Sequence, residues 1–521
     1  MDNCLITMES KNTKYNLLFG ILSQAVSIIL GVILPRLFLA NYGSEINGLL
    51  SSVTQIYAYI ALVEAGIGTA SLQALYRTVG KKDRYGTNSI LAAINNYYKR
   101  TGVIYLLCIF AFATVYPFLI HSDIPHTTII LVIVFNGLGS VVNFFFQGKY
   151  KLLLQAEGKN YIITNLNTVI HVATNVAKIF FVASGFDIVV VQLSAFAVNL
   201  LQMAYIDWYI KKRYAWIDLT AIPDYASIAQ SKNVLIHQIS GLVFNNTDTI
   251  ILTFVCGLKT VSVYSMYTLL FGMVSTFLNT VTDSVSFVFG QTYHTNRKQY
   301  VRILEIYELY YMSLVAALYT VANFFILPFL SLYTRGITDI EYVNAYLPYF
   351  FVSTYLLSCG RKSSNLTINF AEHFKLTQIR SVLEAVINIF VSLICVFQFG
   401  IYGVLLGTIA ALLYRTNDMI IYANKIILHR SPWKTYRRWL VNLALFIAVT
   451  VLSKPLFSRI ALDTYPRIIL WAAITSVVVI PLFFVVASMF DRETYRYAKT
   501  LVVPYLKQAL GKLKRRSQTH D

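Results

Sequence analysis

The chain has 521 residues, 57% of them apolar and only 13% charged, about half the charged share of an ordinary soluble domain, near 25%. With 34 Phe and 37 Tyr set in long apolar runs, a soluble globule, a disordered chain and a nucleic-acid-binding chain are excluded, and a polytopic membrane protein is what remains. The net charge of +19, from 43 basic and 24 acidic residues, is therefore read by its position along the chain rather than as the mark of a nucleic-acid partner.

A bilayer core of about 30 Å takes about 20 apolar residues per helix. In chain order, runs of that kind fall at 15–39, 46–74, 101–120, 126–147, 161–184 and 188–210, then at 234–257, 261–289, 304–330, 346–368, 381–399 and 402–423, and finally at 440–461 and 468–489. The segment before the first run lacks a signal-peptide cleavage pattern, so an uncleaved first helix is expected to insert. The expected architecture is all-α, about fourteen transmembrane helices. Its parts are an N-terminal six-helix lobe at 1–210, a cytoplasmic linker at 211–233, a C-terminal six-helix lobe at 234–424, an additional helix pair at 425–490 and a basic tail at 491–521. Five scattered cysteines form neither a disulfide framework nor a metal-binding spacing, and no metal or cofactor is expected.

Counted by loop with the N-terminus inside, 36 of the 43 basic residues fall at cytoplasmic ends, leaving Arg36, Lys178, Lys259, Arg335, Lys454, Arg459 and Arg467. That bias places both termini in the cytoplasm of a multi-pass protein.

The two six-span sets share landmarks at an offset of 212 to 215 residues. Gly148-Lys149 matches Gly360-Arg361, the turn at Gly185–Asp187 matches Gly400–Tyr402, the turn ending at Gly43 matches that ending at Gly257, and Lys81–Tyr85 matches Asn296–Tyr300. Six spans per set make the repeat parallel, with its axis along the membrane normal and a central cavity between the lobes.

Several spans carry polar residues at helical spacing: Asn136, Ser140, Asn143 and Gln147; Asn167, His171, Asn175 and Lys178; His237, Gly241, Asn245 and Asp248; Arg380, Glu384 and Asn388. Interhelical glue explains the uncharged ones as well as a lined cavity does, whereas ionisable groups favour a hydrated cavity. At about 1.5 Å rise per residue, His171 reaches the midplane and Lys178 lies near enough to the far end to snorkel. Asp248 lies deep in the seventh span and is the strongest acidic candidate. Glu64, Asp283 and Glu384 fall near inner ends, Arg36 near the outer end of the first span, and Arg415 with Asp418 reads equally as a cavity group or a self-satisfied pair. No phosphate loop, HExxH, GxSxG or channel signature occurs, and no catalytic residue or enzymatic activity is expected.

The opening spans, Ser23 to Tyr76, the segment Asn245–Leu252 (NNTDTIIL), Val263–Leu270 and Gly400–Arg415 resemble Wzx-type polysaccharide flippases of the multidrug/oligosaccharidyl-lipid/polysaccharide exporter superfamily. The resemblance runs nearly the whole length. It implies translocation of undecaprenyl-pyrophosphate-linked oligosaccharide from the inner to the outer leaflet of a bacterial cytoplasmic membrane, for O-antigen and lipopolysaccharide, capsule or exopolysaccharide. For such cargo, Arg36, His171, Lys178, Arg361 and Arg415 are the expected phosphate-binding groups, and Asn136, Asn143, Gln147, Asn167, Asn175 and Asn245 the expected polar lining. Asp248, with Glu64, Asp283 and Asp418, would supply cavity acids or couple transport to H+ or Na+, a coupling that is allowed rather than required because an inside-negative potential already drives anions outward at about 2.3 kcal/mol per charge per 100 mV. Expected partners are the lipid-linked oligosaccharide, bilayer lipids and a glycan polymerase with its chain-length machinery; nucleic acid is not one. A cation-coupled drug exporter of the same fold, a glycan polymerase and a non-transporting scaffold remain as alternatives.

Overall fold

The computed structural model describes residues 2–64, 67–228, 232–457 and 459–500, with side chains described from Leu30 onward apart from 63–67, 69, 229–235, 237, 287, 456 and 458. No strand occurs among the described residues. A first helix, α1 (Asp2–Ile60), is broken at Gly43 and runs through a 3-10 turn (Ala61–Glu64) toward α2 (Ile67–Gly80). Then come α3 (Arg84–Leu119), α4 (His126–Val142), a π-turn (Asn143–Gln147), α5 (Gly148–Ala156), α6 (Asn160–Ala183) and α7 (Ile188–Arg213). The second series has α8 (Lys232–Val255), α9 (Leu258–Thr295), α10 (Arg297–Tyr333), α11 (Leu347–Gly360), α12 (Lys362–Phe370), α13 (Phe374–Phe399), α14 (Ile401–Tyr422) and a π-turn (Ala423–Ile427). A last pair, α15 (Trp433–Phe457) and α16 (Tyr465–Phe490), closes the series. Among the described residues ten helices are long and apolar enough to cross a membrane. Among the described residues, each of the fourteen runs picked out by hydropathy lies mostly on helical segments, so the chain is an all-α, multi-pass membrane protein.

The repeat is visible in how elements begin and end. Gly43 and Gly257 have φ of 77° and 82°, and Gly185 and Gly400 have φ of 76° and 54°; each pair turns the chain through the left-handed region that glycine enters without a Cβ clash. Asp83 caps α3 by accepting from the Gly86 amide at 2.9 Å, and 213 residues later Asn296 caps α10 by accepting from the Gln299 amide at 3.1 Å. Gly148 and Gly360 both stand where one span splits into two helices. A Cβ at either would meet an aromatic ring, Tyr98 at 2.5 Å or the Trp439 Nε1 at 2.3 Å.

The chain divides into two compact units, Met1–Leu269 with Thr334–Glu341 and Ser381–Gly407, and Leu270–Tyr333 with Tyr342–Arg380 and Thr408–Asp521. The first has its apolar core between the second half of α1 and α2 to α4, around Leu49, Val53, Leu75, Leu91, Ile94 and Ile109. Small polar groups fasten its helices: Ser52 hydrogen-bonds the Tyr116 hydroxyl and accepts from Thr253, both at 2.8 Å, and Asn47 donates to Ser262 at 2.7 Å. The α1 backbone comes so close to α9 that a Cβ on Gly48 would sit 1.9 Å from the Leu258 carbonyl oxygen. Asp339, from the loop after α10, accepts from the Ser44 amide at 2.8 Å and its hydroxyl at 2.7 Å, satisfying the start of the helix that follows Gly43.

In the second unit α16 and α15 lie along α10. They are joined by an ionic cluster: Glu308, 1% exposed, accepts from Arg430 at 2.8 Å and from Arg438 at 2.8 Å. Arg438 also donates to Asp491 at 2.6 Å, and Arg430 and Lys434 both reach Glu305, at 3.3 and 3.1 Å. Such groups persist in a membrane protein only when each charge has its counter-charge.

Candidate functional site

Polar side chains of α4, its π-turn, α5 and α7 converge in the first unit on a cavity of about 450 Å³. Asn136, Ser140, Asn143 and Gln147 contribute from the α4 face, Lys151 from α5, and Asn199 and Gln202 from α7, with Tyr105 and Phe144 as the aromatic wall. The π-turn at Asn143–Gln147 inserts an extra residue into the helix just where its polar stripe faces the cavity, a distortion often found at functional sites. Gly139 leaves room beside Asn199: a Cβ there would stand 3.6 Å from the Asn199 amide nitrogen.

The hydrogen bonds within the site hold its polar groups in place. The Lys151 ammonium donates to the Asn143 Oδ1 at 2.8 Å, Asn199 donates to the Ala195 carbonyl at 2.9 Å, and Gln202 donates to the Asn167 Oδ1 at 2.8 Å. Through Gln202 the polar surface passes onto α6. There Asn167, His171 and Lys178 lie at intervals of four and seven residues, hence on one face. His171 is exposed and Lys178 half-buried, and neither side chain has a hydrogen-bond or ion-pair partner among the described residues. Asn175 is buried and donates to the His171 carbonyl at 2.6 Å. Among the described residues no carboxylate lines the cavity. It therefore offers one cation and a set of amides able to donate and accept, a combination suited to hydroxyl and phosphate oxygens.

The other expected site residues lie elsewhere. Arg36 donates to the Arg335 carbonyl at 2.7 Å. Asp248, 4% exposed, accepts from the Tyr264 hydroxyl at 3.1 Å and from Asn388 at 3.2 Å. Both share the first unit with Asn245, which is exposed and donates to the Gly241 carbonyl at 2.7 Å. In the second unit Arg415, 2% exposed, bonds Asp418 at 2.7 Å, and Asp418 also accepts from Arg380, whose guanidinium lies 4.7 Å from the centre of the Tyr422 ring. Asp418 is thus shared by two arginines. Arg361 is half-buried at the junction of α11 and α12, and Asp283 is exposed. The Glu64 and His237 side chains lie outside the described residues. Lys151, Asn199 and Gln202 were not singled out by sequence; the spacing of three between Asn199 and Gln202 was the available signal.

No family model and no curated protein matches the chain by sequence. Solved structures do match by fold. An inward-facing multidrug resistance transporter of the MATE family of the MOP superfamily aligns with a TM-score of 0.60 and 13% identity, over 78% of this chain and 94% of its own. The lipid II flippase MurJ, in an inward closed conformation, aligns with a TM-score of 0.64 and 14% identity, over 92% and 99%. An outward-facing MATE transporter aligns at 0.52 and 13%, over 81% and 96%. At these identities the likeness is one of fold, and it extends over nearly the whole chain.

Proposed function

We propose that this protein is an alternating-access flippase that moves undecaprenyl-pyrophosphate-linked oligosaccharide from the inner to the outer leaflet of a bacterial cytoplasmic membrane, for O-antigen, capsule or exopolysaccharide assembly. The observation that carries the proposal is the chemistry of the first-unit cavity: seven polar side chains, Lys151 among them, and no acid among the described residues that line it. A polyhydroxyl, anionic headgroup finds donors, acceptors and a counter-charge there. A lipophilic cation, the cargo of a drug exporter, would want acids and apolar walls. The aligned MurJ is a lipid II flippase by its own name, which makes the flipping of a lipid compatible with this fold. His171 and Lys178 extend the cationic character along α6, and Arg36, Arg361 and Arg415 are retained as phosphate contacts made during the cycle. The lobes 1–210 and 234–424 are proposed as the moving bodies. Coupling to H+ or Na+, where it operates, is assigned to Asp248, buried between Tyr264 and Asn388.

The test is inner-to-outer transfer of a defined undecaprenyl-pyrophosphate oligosaccharide by the purified protein in proteoliposomes. Wild type is expected to transfer it, and Lys151→Ala and Asn143→Leu to slow transfer by about tenfold while eluting as folded protein, the effect of losing one charged hydrogen bond. Normal transfer by both variants overturns the cavity assignment. Absence of transfer by wild type, with export of lipophilic cations instead, overturns the flippase reading in favour of the exporter.

A further inference from the structure

The second unit holds a separate groove of about 510 Å³ between α10 and the end of α16. Its wall is formed by Tyr310, Phe484 and Met489 and by Ser488, and at one end stand Arg492 and Arg496. Tyr310 closes the floor, its ring 5.4 Å from that of Phe484 and its hydroxyl 3.2 Å from the Ser488 hydroxyl. The apolar part is on the surface of a transmembrane helix, with Met489 60% exposed. The basic part begins where that helix leaves its apolar stretch.

The charge balance at this end is lopsided. Glu308 is held by Arg430 and Arg438, Asp491 by Arg438, Glu305 by Arg430 and Lys434, and Glu493 approaches Lys434 at 3.7 Å. Every one of these carboxylates has a base other than Arg492 or Arg496. Those two arginines are exposed, one helical turn apart, and no acid pairs with either among the described residues. An apolar trough that ends in two unneutralised guanidinium groups, just past the end of an apolar helix of membrane-spanning length, has the complementarity of an amphiphile with an anionic phosphate and a hydrocarbon chain.

We infer that this groove is a binding site for an anionic glycerophospholipid of the surrounding bilayer, with the phosphodiester on Arg492 and Arg496 and an acyl chain along Phe484 and Met489. The site is independent of the cargo cavity, which lies in the first unit, and would be present whatever the protein transports. Two basic residues at a membrane surface each contribute about a fivefold factor in affinity.

Native mass spectrometry of the detergent-purified full chain, with phosphatidylglycerol and phosphatidylcholine at equal concentration, tests this. Wild type is expected to retain phosphatidylglycerol over phosphatidylcholine by about tenfold or more. The preference should vanish in R492Q/R496Q, persist in R492K/R496K, and persist in K212Q/R213Q, which removes the same charge from the end of α7. No preference in wild type, an undiminished preference in R492Q/R496Q, an equal loss in K212Q/R213Q, or a loss in R492K/R496K as large as in the glutamine variant each overturns the assignment. Displacement of bound phosphatidylglycerol by an equal concentration of undecaprenyl phosphate also overturns it, since the groove would then belong to the cargo.

Discussion

Glu308 is a carboxylate 1% exposed between two arginines, Arg430 and Arg438, that reach it from beyond the end of α14 and from α15. Neutralising one member of such a cluster strands the others, at a cost of about 3–5 kcal/mol. Glu308→Gln is therefore expected to lower the thermal unfolding midpoint in detergent by several degrees, while Glu305→Gln, at a partly exposed position, lowers it less. Asp491, just past α16, extends the cluster and gives it a pH signature. Burial pushes its carboxyl up, but the Arg438 guanidinium, the Thr494 hydroxyl and the Thr494 amide more than reverse this and hold it below the usual carboxylate range. A depressed pKa stabilises the fold fully above the unfolded value, about 3.9, and that contribution is lost as pH falls through the folded value. The unfolding midpoint should thus change little on this account between pH 7 and pH 5 and fall below pH 4, with Asp491→Asn flattening part of the fall. Lys434 and Arg438 stand one turn apart on α15, and Arg430 precedes that helix. Their pairing was not legible in the sequence, because the acids that answer them lie more than 50 or 120 residues away in the chain.

At the scale of elements, α13 and α14 form a hairpin whose closeness depends on glycine. A Cβ on Gly403 would lie 2.4 Å from the Cys395 carbonyl carbon, and one on Gly407 would lie 2.1 Å from the Ser392 hydroxyl and 2.6 Å from its amide nitrogen. The Gly-x-x-x-Gly spacing is what allows the two backbones to touch. Gly403→Ala and Gly407→Ala are expected to force the hairpin open at about 1–3 kcal/mol each, seen as a lower unfolding midpoint and a lower yield of monodisperse protein. Gly241→Ala on α8, with nothing within 4 Å of the added carbon, should leave both unchanged. Helix positions were well marked by hydropathy, yet α3 begins at Arg84 where the apolar run begins at 101. A bilayer rule registers only the part of a helix that meets lipid, and α3 continues beyond it behind an Asp83 cap. The π-turn at Asn143–Gln147 left no comparable mark, because an inserted residue changes which side chains share a face without changing composition.

For the molecule as a whole, the basic bias predicts that a reporter active only outside the cytoplasm is inactive when fused after Lys82 and active when fused after Asp123, with the fusion after Asp491 inactive again. An active reporter after Lys82 would reverse the orientation. Of the charge surplus that suggests an anionic partner in a soluble protein, part closes the ion cluster around Glu308 and part stands open as the two arginines of the α16 groove; the reporter fusions test whether the rest orients the chain.

Hydropathy, loop charge and the 212–215-residue repeat specified an all-helical bundle of about fourteen spans, and the turn glycines and helix caps appear at the repeated positions. These are local properties: whether a segment enters lipid, and whether a residue tolerates positive φ, depends on that segment and residue. Which polar groups meet is a property of folding. Asn143 and Gln147 acquired Lys151, Asn199 and Gln202 as neighbours, while Asp418 was drawn between Arg380 and Arg415. In a low-dielectric interior each buried polar group must find whichever partner the packing of distant helices brings within about 3 Å, and periodicity along one helix carries no record of that choice.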